Sequence, residues 1–182
     1  SWCPVCVEAA GREDQHRRRK EKADEGEVPT VGMDYNCLSD GVAAASTAGR
    51  LMKGDEVKAM IVKDFKIGML WAHAVDRKGP QDKWITKRIV ADIEYLERSE
   101  IKLKTDGEPA IKAVQSAVIA TRVTPSVTIP DNPPAYDPQA NGCVEKGVQD
   151  SNTQTRKTKL ALDRRIGAEI EATHPIMEWG ME

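Results

Sequence analysis

Three carboxylates, far apart in the chain, carry the chemistry this sequence offers: Asp34 in VGMDYN, Asp106 in KTDGEP and Glu145 in GCVEKG. Carboxylates drawn from separate elements to one point make a hard-oxygen site suited to Mg2+, which keeps several of its own waters. Two divalent ions about 3.5–4 Å apart can assist in-line displacement at phosphorus, one activating the attacking oxygen and the other neutralising the leaving oxygen. Each acid also has a plainer reading. The chain holds 29 acidic residues, so acidity alone singles out none. Asp106 before Gly107 suits a turn or a helix cap. Glu145 suits an exposed helix face. Asp34 is a polar residue in mid-strand, with Gly32 and Asn36 beside it.

Other reactive groups are weaker candidates. Cys3 and Cys6 have the C-x2-C spacing of zinc ligands, but the pair supplies two ligands of four. His16 is a candidate third ligand and otherwise a linker histidine. Asp64, in VKDFK, is a candidate fourth acid whose alternative is a hairpin turn. His73 reads as a packed or surface-facing strand residue. Cys37 and Cys143 read as small packing residues, and Trp71 and Trp84 as core anchors. Cys143 lies near Glu145, yet no base accompanies it, which argues against a thiol nucleophile.

The elements that must position these groups follow from periodicity. Residues 28–38 alternate as a strand, with Val31, Met33, Tyr35 and Cys37 on one face and Gly32, Asp34 and Asn36 on the other. Residues 39–55, rich in Gly, Ala and Ser, read as a loop. Strands are expected at 57–62 and 69–75, joined by a turn at 64–68, as a hairpin. Over 81–99 the period becomes helical, with Trp84, Ile85, Ile89, Ile93 and Leu96 recurring. A strand at 101–105 leads to a helix at 108–122, with Pro109 tolerated in its first turn. A fifth strand is expected at 123–129, then a proline-rich loop at 130–139. A long helix is expected over 141–172, striped by Val144, Val148, Leu162, Ile166 and Ile170 and ended by His174-Pro175. The order is β-β-β-α-β-α-β-α. It predicts an α/β fold with a mixed sheet, three antiparallel strands followed by two in parallel crossovers. If the first and fourth strands are neighbours, Asp34 and Asp106 meet and the long helix brings Glu145 in from the side.

Composition sets the outer limits. The 182 residues suit one domain with appendages; 40% are hydrophobic and 31% charged, a globular balance rather than a disordered one. Aromatics are 4%, so Val, Ile, Leu, Ala and Met must build the core. Net charge is −2, yet Arg12 to Lys22 and Arg156 to Arg165 are locally basic. The first of these runs reads as a solvated linker or a DNA-binding or localisation segment. No run approaches the roughly 18 apolar residues of a membrane span. Few cysteines and no visible signal peptide point to a reducing compartment. The chain begins in a half-motif and ends without an evident stop, so it is expected to be part of a longer polyprotein.

The segment PPAYDPQANGCVEKGVQ (133–149) resembles the surroundings of the last acid in retroviral and retrotransposon integrases. Tyr136, Pro138, Gln139, Asn141, Gly142, Glu145 and Lys146 fill that family's pattern. The 38 residues between Asp106 and Glu145 suit its spacing. The resemblance spans roughly 28–172 and implies an RNase H-like fold. Two departures set the chain in a divergent branch. Asp106-Gly107-Glu108-Pro109-Ala110 replaces the usual Asp-Asn-Gly-x-Glu-Phe, and Lys146 replaces an arginine, keeping the charge but not the guanidinium fork.

The resemblance implies a D,D,E polynucleotidyl transferase in which Asp34, Asp106 and Glu145 hold two Mg2+ or Mn2+ ions. It would trim a cDNA end and join the 3′-hydroxyl to target DNA. Cys3 and Cys6 would be the tail of a His-His-Cys-Cys module, binding Zn2+ in the full-length protein. The implied organisation is 1–8 zinc-module remnant, 9–27 charged linker, 28–172 catalytic core and 173–182 start of a C-terminal extension. Asn141 and Lys146 belong to the motif. Glu145, Gln149, Asn152, Arg156 and Lys159 recur at steps of three and four, so they share a helix face that would follow a DNA backbone; the alternative is a solvated face. Implied partners are double-stranded donor ends and target DNA, further copies of the chain and the rest of a retroelement polyprotein, with no membrane. The implied location is a cytoplasmic particle and then the nucleus, not the exterior. Competing readings are a transposase or nuclease of the same fold, and a catalytically dead DNA-binding module.

Overall fold

The computed structural model describes residues 3–10, 27–39, 56–122, 125–132, 142–171 and 174–180. Its elements are α1 (Pro4–Ala10), β1 (Thr30–Ser39), β2 (Glu56–Asp64), β3 (Leu70–Val75), α2 (Lys83–Tyr95), β4 (Glu100–Lys104), α3 (Pro109–Thr121), β5 (Val127–Asp131), α4 (Gly142–Ile166) and α5 (Pro175–Trp179). Among the described residues the strands form one five-stranded sheet in the order β3-β2-β1-β4-β5. β1 pairs antiparallel with β2 and β2 with β3, whereas β1–β4 and β4–β5 are parallel. This is the mixed sheet with flanking helices of the RNase H-like fold. The expected strand and helix order stands, with α1 and α5 added at the ends.

The two faces of β1 take different neighbours, as its alternation demands. Val31 and Met33 join Met60, Val62, Ile101 and Leu103 in a core closed by Ile85, Ile89 and Ile93 of α2 and Ile111, Val114 and Val118 of α3. Tyr35 packs against the same core. The opposite face meets α4. A Cβ on Gly32 would lie 2.2 Å from Val144 Cγ2 and 2.7 Å from Phe65 Cε1. Farther along, Asn36, only 4% exposed, donates its amide to Asn152 Oδ1 at 2.6 Å. Val144 over Gly32 and Asn152 over Asn36 mean that α4 runs along β1 in the same direction.

That close approach changes the expected helix stripe. The buried residues of α4 are Val144, Gly147, Ser151 and Thr155. Val148 and Leu162 are only partly covered, and Ile166 is exposed. A helix lying tight on a sheet needs small side chains at the seam. A Cβ on Gly147 would come 2.8 Å from Lys63 Cδ and 3.2 Å from Leu70 Cδ1. The helix also ends at Ile166 rather than near residue 172. Gly167 takes φ +74, its N–H donates to the Asp163 carbonyl at 2.8 Å, and the Asp163 side chain accepts from the Ile170 N–H at 2.8 Å. A left-handed glycine of this kind is a helix terminator. His174-Pro175 instead starts α5, with His174 Nδ1 accepting from the Ile176 N–H at 3.2 Å. Met177 of α5 is buried.

Other sequence expectations divide. Asp64 does take the turn role: its Oδ2 accepts from the Ile67 N–H at 2.8 Å, and it is fully buried. Both its oxygens also pair with Arg98. His73 is packed, with Nε2 2.5 Å from Asp92 Oδ2. Trp71 packs against the core, but Trp84 is 42% exposed because it lies outside the Ile85–Ile89–Ile93 stripe. Its ring meets His73 edge-on at 6.1 Å. Cys37 is exposed and Cys143 partly so, since β1 outruns β4 before Cys37 is reached. His16, the basic run 12–22, most of the 39–55 loop, and Tyr136, Pro138, Gln139 and Asn141 lie outside the described residues. Among the described residues no helix is long and apolar enough to cross a membrane.

Candidate active site

Asp34 lies where β1 loses its partner β4. The parallel register pairs Thr30 with Lys102, Val31 with Leu103 and Gly32 with Lys104. Carried two residues on, it sets Asp34 level with Asp106, just past the end of β4. Asp34 belongs with Gly32 and Asn36 on the α4 face. Its cross-strand neighbour is Ile61, fully buried. Glu145 directly follows Val144, the residue seated on Gly32. The three acids therefore come from β1, the β4–α3 junction and the first turn of α4.

Local hydrogen bonds orient two of them. Asp34 Oδ1 accepts from the Tyr35 N–H at 2.7 Å. Asp106 Oδ1 accepts from the Glu108 N–H at 3.0 Å, the turn role its sequence context suits. The Asp34 carboxyl is raised from 3.8 to about 6. Burial beside apolar neighbours is the main cause, followed by the negative charge of Asp106; Glu145 adds to it, while the Tyr35 N–H and Lys78 oppose it. Asp34 thus senses the charge of both other acids.

The donor set suits a hard divalent cation: every candidate ligand is a carboxylate oxygen, and like-charge repulsion on Asp34 is what such a cation would relieve. Among the described residues, however, no three His, Cys, Asp or Glu side chains close tightly enough to form a ready cation cage. Cys3 and Cys6 are exposed, and Cys6 hydrogen bonds pull the Cys3 thiol below its usual value. Cys3 directly precedes α1, and Cys6 lies in its first turn.

The proposed DNA face is divided. Gln149 and Arg156 are exposed. Asn152 turns inward to Asn36. Lys159 is 3.0 Å from Asp163 and 3.8 Å from Glu169. Lys146 pairs with Asp150 at 3.0 Å. Sequence reasoning missed a second set of groups at the cluster. Lys78 pairs with Glu108 and stands over the Tyr35 ring, although these partners lie 30 and 43 positions from it in no recognisable pattern. The available signal was position alone: Tyr35 follows Asp34, and Glu108 lies two residues after Asp106.

No protein-family model matches the chain, and no curated protein matches it. Solved structures do match. One is a chain of the cryo-EM structure of the simian T-cell lymphotropic virus intasome in complex with PP2A regulatory subunit B56 gamma. It aligns with a TM-score of 0.52 at 15% identity over 92% of this chain and 53% of that one. This chain therefore spans about half the length of its match, and the likeness is one of fold: this chain has the α/β, five-stranded RNase H-like architecture.

Proposed function

We propose that this chain is the catalytic core of a retroelement-type integrase, trimming a cDNA end and joining its 3′-hydroxyl to target DNA. The observation that carries the reading is the β1–β4 register, which levels Asp34 with Asp106 while Val144 on Gly32 brings Glu145 to the same sheet end. The 133–149 motif and the fold shared with a chain of a viral intasome structure support it. Asp34, Asp106 and Glu145 would hold two Mg2+ or Mn2+ ions. When bound, such ions supply charge neutralisation at the attacking and leaving oxygens. The protein's own part is orientation. The Tyr35 and Glu108 N–H groups fix two carboxylates, burial takes water from Asp34, and α4 delivers the third acid from a helix seated on the sheet. Further copies of the chain would complete the assembly, and Cys3 and Cys6 would complete a zinc module in a longer chain.

Incubating the chain with a donor duplex and plasmid in Mg2+ or Mn2+ tests this directly. Joined product is expected. Asp106→Asn should lose joining while its far-UV circular dichroism stays unchanged; full joining by that variant sinks the assignment. Shortened donor without joining would mark a nuclease of the same fold. Binding with neither product would mark a non-catalytic DNA-binding module.

A further inference from the structure

The turn between β3 and α2 carries a cation to the acidic cluster. Lys78 Nζ lies 3.0 and 2.8 Å from the two carboxylate oxygens of Glu108 and 5.0 Å from the Tyr35 ring centroid. The Tyr35 hydroxyl accepts from the Gly79 N–H at 2.8 Å, and Gly79 adopts φ +108, open to glycine alone at low cost. Neighbours of Asp34 and Asp106 in sequence thus clamp the turn from two elements. The ammonium is not sealed, since the Lys78 side chain is 32% exposed. Its charge reaches Asp34, and that of Asp106 reaches Lys78 in return.

A DNA phosphate approaching this end of the sheet meets Asp34, Asp106, Glu145 and Glu108, all negative. A cation fixed among them offsets that repulsion and gives the phosphate a partner. We propose that Lys78 is a phosphate-binding residue that positions a DNA backbone at the acidic cluster, exchanging the Glu108 carboxylate for a phosphate oxygen as the duplex docks. The inference rests on the DNA-processing reading above. In the free protein Glu108 and the Tyr35 ring hold the ammonium in place. On docking, Glu108 returns to water, where it is already partly exposed.

The test is anisotropy titration of the full chain with a fluorescein-labelled random-sequence duplex across a KCl series. Losing one phosphate contact makes the log–log salt slope shallower by about 0.9 and weakens binding alike for unrelated sequences. Lys78→Gln should show both effects, Lys78→Arg should keep the wild-type slope, and Glu108→Gln should bind more tightly by removing the competitor. If the wild type binds and Lys78→Gln keeps its slope and affinity, Lys78 is only a strut and the inference falls alone. If the wild type binds no duplex, the DNA-processing reading falls and takes the inference with it.

Discussion

At Asp34 one carboxylate answers to three neighbours at once. Burial, with the fully buried Ile61 opposite, takes water from it, and Asp106 and Glu145 add negative charge, so its proton is held up to about 6. In the metal-free protein this has a definite sign. An acid whose folded value exceeds its unfolded one binds more protons folded than unfolded between about pH 4 and 6. Stability therefore falls as pH rises through that window. Asp34→Asn keeps an oxygen to accept the Tyr35 N–H but carries no charge. In EDTA it should be more stable than wild type above pH 6, by about 1 kcal/mol once water screening of the half-buried group is allowed for. The gain should vanish near pH 4. Urea melts across this range check it, and a gain that persists at pH 4 would point to packing rather than charge. Single residues could be picked out as candidates where a motif or a strand position marked them, as with Asp34, Asp106 and Glu145. Lys78, Tyr35 and Glu108 could not, because their link is spatial and no local rule joins a turn to two distant strand ends.

At the scale of elements, the contact between α4 and β1 sets where Glu145 stands. Gly32 is the point of closest approach, and any side chain there must move Val144 or Phe65. Gly32→Ala should cost about 1–3 kcal/mol, the usual range for overpacking. Because the displaced helix carries Glu145, donor joining should fall as well. Adding Val144→Ala makes room and should return part of the stability, a coupling that a double-mutant cycle in urea reads. Additive effects would mean that the helix does not bear on Gly32. The succession of strands along the chain and the β1 alternation were readable from period two, and α2 and α3 from their apolar spacing; that β1 and β4 are neighbours came only with the sheet itself. The α4 seam was not readable, because Gly147, Ser151 and Thr155 are buried by proximity and carry little hydrophobic signal. The helix end was missed for a related reason: Gly167 acts through backbone conformation, whereas the apolar spacing continued to Ile170.

Across the whole molecule, the acidic cluster draws on three segments far apart in the chain. β1 lies at the centre of the sheet, Asp106 closes the β4–α3 crossover, and α4 lies across the opposite face. A cation bound by all three carboxylates would join the helix to the sheet, so its binding energy should appear as global stability. By mass action the gain is about 2.7 kcal/mol at a hundredfold excess over Kd. Mg2+ should therefore raise the thermal midpoint of the full chain as a single transition, and EDTA should reverse the rise. Asp34→Asn supplies the contrast: it should raise the metal-free midpoint at neutral pH by removing a partly buried charge and its repulsion by Asp106 and Glu145, yet it should lose the Mg2+ response. The two effects have opposite signs, so generic salt stabilisation cannot imitate the pair. An equal Mg2+ shift in wild type and Asp34→Asn would mean that the ion binds elsewhere, and the three acids would then be neighbours without a shared ligand.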